Sequence, residues 1–121
     1  MKLKPIYRVT TFVPPEHLDS LLAGILKVVP LQFGLYDQVA WWSSPGIEQF
    51  KPRVGSNPTL GSADVLEKTN SVALIFSLPR NEALLEKVLQ EGVIPSHPWE
   101  EPVVYIDEAM TTRTKNDEDD L

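Results

Sequence analysis

Strand-like and helix-like patterns alternate twice in the same order, and this repetition constrains the fold of the chain more than any other feature. Runs rich in β-branched and aromatic residues predict four strands, at 4–13, 33–44, 71–78 and 102–106. Apolar residues spaced by three and four predict one helix between the first two strands and another between the last two. The order β-α-β-β-α-β predicts an α+β, ferredoxin-like sandwich, in which a four-stranded antiparallel sheet carries both helices on one face.

Local signals predict where several of these elements begin and end. Asn81 is expected to cap the second helix, because its side chain can accept a hydrogen bond from the first turn. Gly92 is expected to end the same helix, since glycine is common just past helix C-termini. Residues 45–62, rich in glycine and proline, are predicted to form an irregular excursion with a short strand near 48–51.

Composition and charge exclude several kinds of function. The 121 residues suit one domain, expected over 1–108, followed by an acidic, disordered tail over 109–121. The chain has no cysteine, which excludes disulfides and cysteine-based zinc sites. A net charge of -6 without a basic stripe argues against nucleic-acid binding. Neither a signal peptide nor an apolar run of about 20 residues is present, so we expect no membrane association and a cytoplasmic location, with the nucleus as the alternative.

The uncovered face of the expected sheet predicts self-association. The third strand is apolar on both faces through residues 72–76, and Trp41 and Trp42 send one indole to each side. An apolar sheet face that nothing covers is an association surface. We therefore expect a homo-oligomer that buries this face; the alternative is that the excursion at 45–62 folds back over it.

A polar turn before the last strand is the best candidate site. In this turn His97 directly precedes Pro98, and Glu100 and Glu101 lie between Pro98 and Pro102. An imidazole and a carboxylate can share a divalent metal ion, so His97 and Glu100 are candidate metal ligands that a neighbouring subunit would complete. The alternative is structural: His97 donates to a backbone carbonyl, and one glutamate caps exposed amides.

Tyr36 and Asp37, at the start of the expected second strand, complete the set of candidate ligand-binding residues. Asp37 is a candidate ligand or, if the second and fourth strands lie close there, a candidate hydrogen-bond acceptor for His97; the alternative is a turn aspartate beside a half-buried tyrosine. No serine or threonine has a partnering base at recognisable spacing. We therefore expect a binding protein, with an enzyme as the third possibility, which would need a nucleophile or an acid-base pair that the sequence does not reveal.

Four stretches, in order along the chain, resemble motifs of one family. Residues 13–18 resemble its Val-Pro-x-x-His-Leu helix entry, and residues 34–37 resemble its Gly-x-Tyr-Asp turn. Residues 50–61 resemble its Phe-x-Pro and Asn-Pro-x-x-Gly loop. Residues 97–102, His-Pro-Trp-Glu-Glu-Pro, resemble its His-Pro-Tyr-Glu-Glu-Pro signature, with Trp99 in place of tyrosine. The family is that of the NIF-three-type (NGG-one-interacting factor three) proteins, and the likeness is to their inserted domain and to short bacterial proteins consisting of that domain alone.

This resemblance implies a fold of the CutA and PII kind and, because CutA and PII proteins assemble as trimers, a homotrimer. It implies an oligomeric regulatory module that binds a small ligand or a divalent metal ion. The dinuclear metal centre of full-length family members belongs to flanking domains and is not carried over. The alternative function is a structural assembly module that docks to a protein partner without any ligand, with the acidic tail as the docking segment.

Overall fold

One antiparallel sheet is the centre of the fold. The computed structural model describes residues 1–115 of the chain. The strands are β1 (Lys2–Val13), β2 (Trp41–Trp42), β3 (Gly46–Phe50), β4 (Glu67–Pro79) and β5 (Val104–Arg113). A 3-10 turn at Pro15–His17 leads into helix α1 (Leu18–Leu26). Helix α2 (Glu82–Lys87) continues as a π-helical segment, Val88–Val93, and then as the short helix α3 (Ile94–Ser96).

The sheet has the four strand positions that the sequence predicts. β1 lies between β4 and β5 and is antiparallel to both. The position beyond β4 is shared by two short strands: β2 pairs with its middle and β3 with its first residues. The α+β, ferredoxin-like fold is therefore confirmed, with its outer strand interrupted.

The helices cover one face of this sheet, where the core lies. Val9 and Val13 alternate with outward residues along β1, and the register places Val9 opposite Phe76 of β4. Leu21 and Ile25 of α1 are fully buried against them. The predicted apolar helix face is thus the one that packs on the sheet, since burial of these side chains removes their surface from water.

The second helix begins as predicted and ends differently. The Asn81 side chain accepts a hydrogen bond from the Leu84 backbone N–H at 3.0 Å, which confirms the cap. The prediction for Gly92 is wrong, because this glycine lies inside the π-helical segment. A Cβ atom there would stand 3.3 Å from the Ile25 Cα, so glycine allows the close approach of the segment to α1.

The predicted second strand, 33–44, is mostly wrong. Only Trp41–Trp42 pairs with β4, and the preceding residues form a folded loop. Phe33 and Tyr36 exchange two backbone hydrogen bonds across a tight turn, and Gly34 has a φ of +60°. Glycine tolerates this left-handed conformation, which breaks the strand that the flanking aromatic residues would favour.

The last strand runs past the predicted end of the domain. Residues 109–113 pair with β1, and Arg113 lies opposite Lys2. The expected tail is therefore wrong for these five residues, since β-branched threonines suit an edge strand and the Arg113 guanidinium packs over the Phe33 ring at 5.3 Å. Residues 116–121 of that expected tail, which include its acidic run 117–120, lie outside the described residues.

The other face of the sheet carries exposed aromatic side chains. Tyr105, Thr10, Ile75 and Trp41 form one row across four strands. Tyr105 and Trp41 are each 57% exposed, so the excursion does not cover this row. None of the helices in the described part of the chain has the length and apolar character needed to cross a bilayer.

Candidate functional site

His97 fixes the turn after α3 to the end of β1. Its side chain is buried, and its Nε2 lies 2.8 Å from the Phe12 carbonyl oxygen. Its Nδ1 accepts a hydrogen bond from the Trp99 backbone N–H at 3.1 Å. Because a backbone N–H can only donate, Nδ1 presents a lone pair and the ring proton sits on Nε2. Both ring nitrogens are thus engaged by backbone groups.

The surroundings of His97 favour its neutral form. Burial lowers the pKa of His97, and the nearby charge of His17 lowers it further. The Phe12 carbonyl and the Glu48 carboxylate raise the pKa, but the net direction is downward. A neutral ring is the state that lets Nδ1 accept from Trp99.

The Trp99 side chain connects the turn to β3. Its indole Nε1 donates to the Glu48 Oε1 at 3.3 Å, and the Ser71 hydroxyl donates to the same oxygen at 2.8 Å. The Phe50 ring lies 5.7 Å from the Trp99 ring, centroid to centroid, at an angle of 54°. Glu48 therefore orients the indole through its edge while Phe50 contacts the ring system.

Two hydrogen bonds tie the excursion to the turn. The Asn57 backbone N–H donates to the Glu100 carboxylate, with distances of 2.6 and 3.1 Å to its two oxygens. The Thr59 hydroxyl donates to the Pro98 carbonyl oxygen at 2.6 Å. This arrangement matches the structural alternative for the turn, in which a glutamate satisfies an exposed amide.

A cleft of about 410 Å³ opens between β3, the part of the excursion that follows β3, and the turn. Its lining includes aromatic and proline surfaces together with charged side chains: Phe50, Pro52, Pro58, Trp99, Glu48, Lys51, Arg53, Glu100 and Glu101. A second depression of about 390 Å³ continues onto the exposed face of the sheet, where Phe12 and Tyr105 line it. Glu48, Gln49 and Val103 line both.

The structure brings some of the predicted site residues together and separates others. Glu100 and Glu101 line the cleft, and His97 supports the turn from behind. Tyr36 and Asp37 are exposed on the loop beside Arg113, near the Lys2 end of β1, whereas His97 holds its Phe12 end. The candidate hydrogen bond between Asp37 and His97 is therefore not formed within this chain.

Several residues of the cleft were not predicted. Glu48, Lys51 and Arg53 carry no recognisable motif, and only the fold places them beside the turn. Phe50 and Asn57 belong to stretches that carry the family resemblance, which was the available signal for them. Within residues 1–115, no three histidine, aspartate or glutamate side chains gather as a metal site would require.

The sequence has relatives among curated proteins, although no family model matches it. A GTP cyclohydrolase 1 type 2 homolog of Bacillus subtilis (strain 168) is 32% identical over 97 residues, which are 80% of this chain and 25% of the relative. A homolog of the same description from Listeria monocytogenes is 27% identical over 103 residues, or 85% of this chain and 27% of the relative. The chain thus spans about a quarter of the length of these relatives.

Solved structures show the same fold. A Bacillus cereus protein related to NIF3 superposes with a TM-score of 0.70 at 21% identity, over 90% of this chain and 27% of that one. The divalent ion tolerance protein CutA1 of Ehrlichia chaffeensis gives 0.57 at 15% identity, over 95% and 87% of the two chains. The PII-like protein CPII of Thiomonas intermedia K12 gives 0.53 at 18% identity, over 94% and 100%.

These structural likenesses place the chain in the fold class of the CutA and PII-like proteins, a ferredoxin-like fold. Within that class, it is a homologue of the CutA/PII-like domain of the NIF-three-type proteins, as its matching motifs predict.

The His97 geometry predicts that stability falls in mild acid. The folded protein binds the His97 proton more weakly than the unfolded chain does, so the free energy of unfolding should stay level above about pH 6.5 and fall below it. The slope contributed by one histidine is at most ~1.4 kcal/mol per pH unit. Urea unfolding between mildly acidic and neutral pH measures this free energy.

His97→Gln should remove most of this pH dependence, whereas His17→Gln should keep it, because His17 is exposed and only adds a repulsion. A His97→Gln protein with an unchanged slope would contradict the structural role of the ring.

Proposed function

We propose that this chain is a subunit of an oligomeric, regulatory module that binds a small organic ligand in the cleft beside Trp99. The cleft itself carries this proposal: its volume of about 410 Å³ lies in the range typical of small-molecule sites. Its Trp99 and Phe50 rings offer apolar surface to a flat group, and its charged side chains offer orientation. Binding and regulation, rather than turnover, are the proposed role.

The PII-like neighbour CPII suggests which ligands to test first, since that protein was solved with ADP, AMP and bicarbonate. A flat base can stack on an indole face, and Lys51 and Arg53 can approach a phosphate. AMP and ADP therefore contain both kinds of group that the cleft can contact.

A divalent metal ion is the second candidate ligand. The CutA1 neighbour is described as a divalent ion tolerance protein, and His97 with Glu100 are the candidate metal ligands. A metal ion on His97 would have to displace the Phe12 or the Trp99 backbone bond, and one on Glu100 would compete with the Asn57 amide. We therefore place an organic ligand ahead of a metal ion.

The oligomer that we propose is a homotrimer formed through the exposed face of the sheet. Tyr105, Ile75 and Trp41 lie in one row there, and Phe12 contacts Tyr105 edge-to-face at 6.0 Å. Burial of this aromatic surface between copies removes it from water and favours association. The alternative function, an assembly module that docks to a protein partner without ligand, would oligomerise through the same surface, dock through the acidic tail and leave the cleft empty.

Ligand binding in the cleft should depend on the Trp99 ring. We expect calorimetric titration to show that the wild-type chain binds AMP or ADP. Trp99→Leu should bind about 5- to 150-fold more weakly, because stacking on an aromatic side chain contributes on the order of 1–3 kcal/mol per base. Trp99→Phe, which keeps a ring, should retain part of the affinity.

Trp42→Leu is the matched control, since it removes an exposed indole that does not line the cleft. If Trp99→Leu binds as tightly as the wild type, or if the wild type binds no nucleotide, the proposed ligand class is wrong. A zinc or copper ion that binds the wild type and not His97→Gln would instead support the metal alternative.

Assembly should depend on the exposed sheet face. Native mass spectrometry should show a trimer for the wild type and a smaller species for Tyr105→Glu, because a carboxylate buried in an apolar interface is costly. Leu35→Glu, at a position that is 82% exposed on the distant loop, should remain trimeric. A monomeric wild type, or a Tyr105→Glu protein that is still trimeric, would contradict this interface.

A further inference from the structure

The Glu100 carboxylate accepts a hydrogen bond from a backbone amide of a different segment. The Asn57 backbone nitrogen lies 2.6 Å from the Oε2 and 3.1 Å from the Oε1 of Glu100, and its N–H donates to this carboxylate. The two residues belong to different segments, the excursion and the turn, so no regular secondary structure requires the contact. Both residues are exposed, and water can reach the carboxylate.

The cleft beside the Asn57 amide carries side chains that can pair with an oxyanion. Lys51, Arg53 and Ser56 line the same cleft, and among the residues described neither Lys51 nor Arg53 forms an ion pair. The amide lies just after a tight turn in which Ser56 donates to the Arg53 carbonyl oxygen and Gly55 has a φ of +96°. One oriented amide thus contacts the Glu100 carboxylate, and two cations line the same cleft without pairing to that carboxylate.

We propose that this amide, with Lys51 and Arg53, is the oxyanion subsite of the ligand cleft, and that Glu100 is its internal competitor. The ligand then carries a carboxylate or a phosphate beside a flat ring: the ring contacts Trp99, and the oxyanion displaces the Glu100 carboxylate from Asn57. This inference rests on the proposed function and adds the charged group of the ligand and a means of regulating its affinity.

Displacement is chemically balanced because one anion replaces another. The Asn57 amide keeps a hydrogen bond, and Glu100 moves into water, where an exposed carboxylate is well solvated. A tethered carboxylate acts at high effective concentration, so it raises the concentration of ligand needed for binding. Once Glu100 leaves, the Thr59 bond to Pro98 remains, and the excursion is held less firmly to the turn.

The sign of a mutational effect tests this proposal. If Glu100 competes with the ligand, Glu100→Gln should bind an oxyanion more tightly than the wild type does. If Glu100 is a ligand-binding residue or only part of the turn, the same change should weaken binding or leave it unchanged. The probes are inorganic phosphate and benzoate at constant ionic strength, followed through the NMR amide shift of Asn57.

We expect Glu100→Gln to bind one or both probes at least about tenfold more tightly than the wild type, since a charge-assisted hydrogen bond no longer has to be displaced. Glu86→Gln, which removes the same charge from exposed helix α2, should behave as the wild type. Adding Arg53→Gln to Glu100→Gln should weaken binding again. Tighter binding of benzoate alone assigns a carboxylate ligand, and tighter binding of phosphate alone assigns a phosphate ester.

Equal or weaker binding by Glu100→Gln, including no binding by either protein, would overturn the competitor role. That result is separable from a failure of the proposed function. A wild type that binds AMP in a Trp99-dependent manner, with Glu100→Gln no tighter for either probe, refutes the competitor and keeps the ligand cleft. If Glu100→Gln binds a probe more tightly but no Trp99-dependent nucleotide binding is found, the oxyanion subsite is supported and a nucleotide is rejected as the ligand.

Discussion

The site depends on the two hydrogen bonds of the His97 ring. They join the Phe12 carbonyl at the end of β1 to the Trp99 amide in the turn, which leads into β5. Each such bond contributes only about 0.5–1.5 kcal/mol net, but loss of the ring would also leave two partly buried backbone groups without this partner, which adds a desolvation cost. With the turn held in this way, Trp99 reaches Glu48, and Glu100 reaches Asn57.

The ligand cleft and the proposed oligomer interface are neighbours on this frame. Glu48, Gln49 and Val103 line both the cleft and the depression that continues onto the exposed sheet face. A ligand that moves the turn would therefore act on side chains close to the interface. This continuity gives the regulatory proposal a physical basis, because one element borders both surfaces.

The fold was largely predictable from the sequence, and the site only in part. Helix and strand periodicity predicted the core, because the side chains that must be buried, such as Leu21, Ile25 and Val9, recur with the period of the element that carries them. The loop at 30–40 was not predictable from periodicity, since the left-handed φ of Gly34 interrupts an otherwise strand-like run. The turn at His97 was identified from the sequence, and the structural alternative for it, in which His97 donates to a backbone carbonyl, matches the bond to Phe12. Glu48 and Arg53 could not be found, because they join the site through tertiary packing alone.

The most direct test of this account is the protonation state of the His97 ring, measured by long-range proton–nitrogen NMR at neutral pH with and without zinc. The account predicts a neutral ring whose proton is on Nε2 and exchanges slowly, with nitrogen shifts that zinc leaves unchanged. A proton on Nδ1, a charged ring or zinc-induced shifts of either nitrogen would contradict it, because His97 would then not hold the turn by the bonds described.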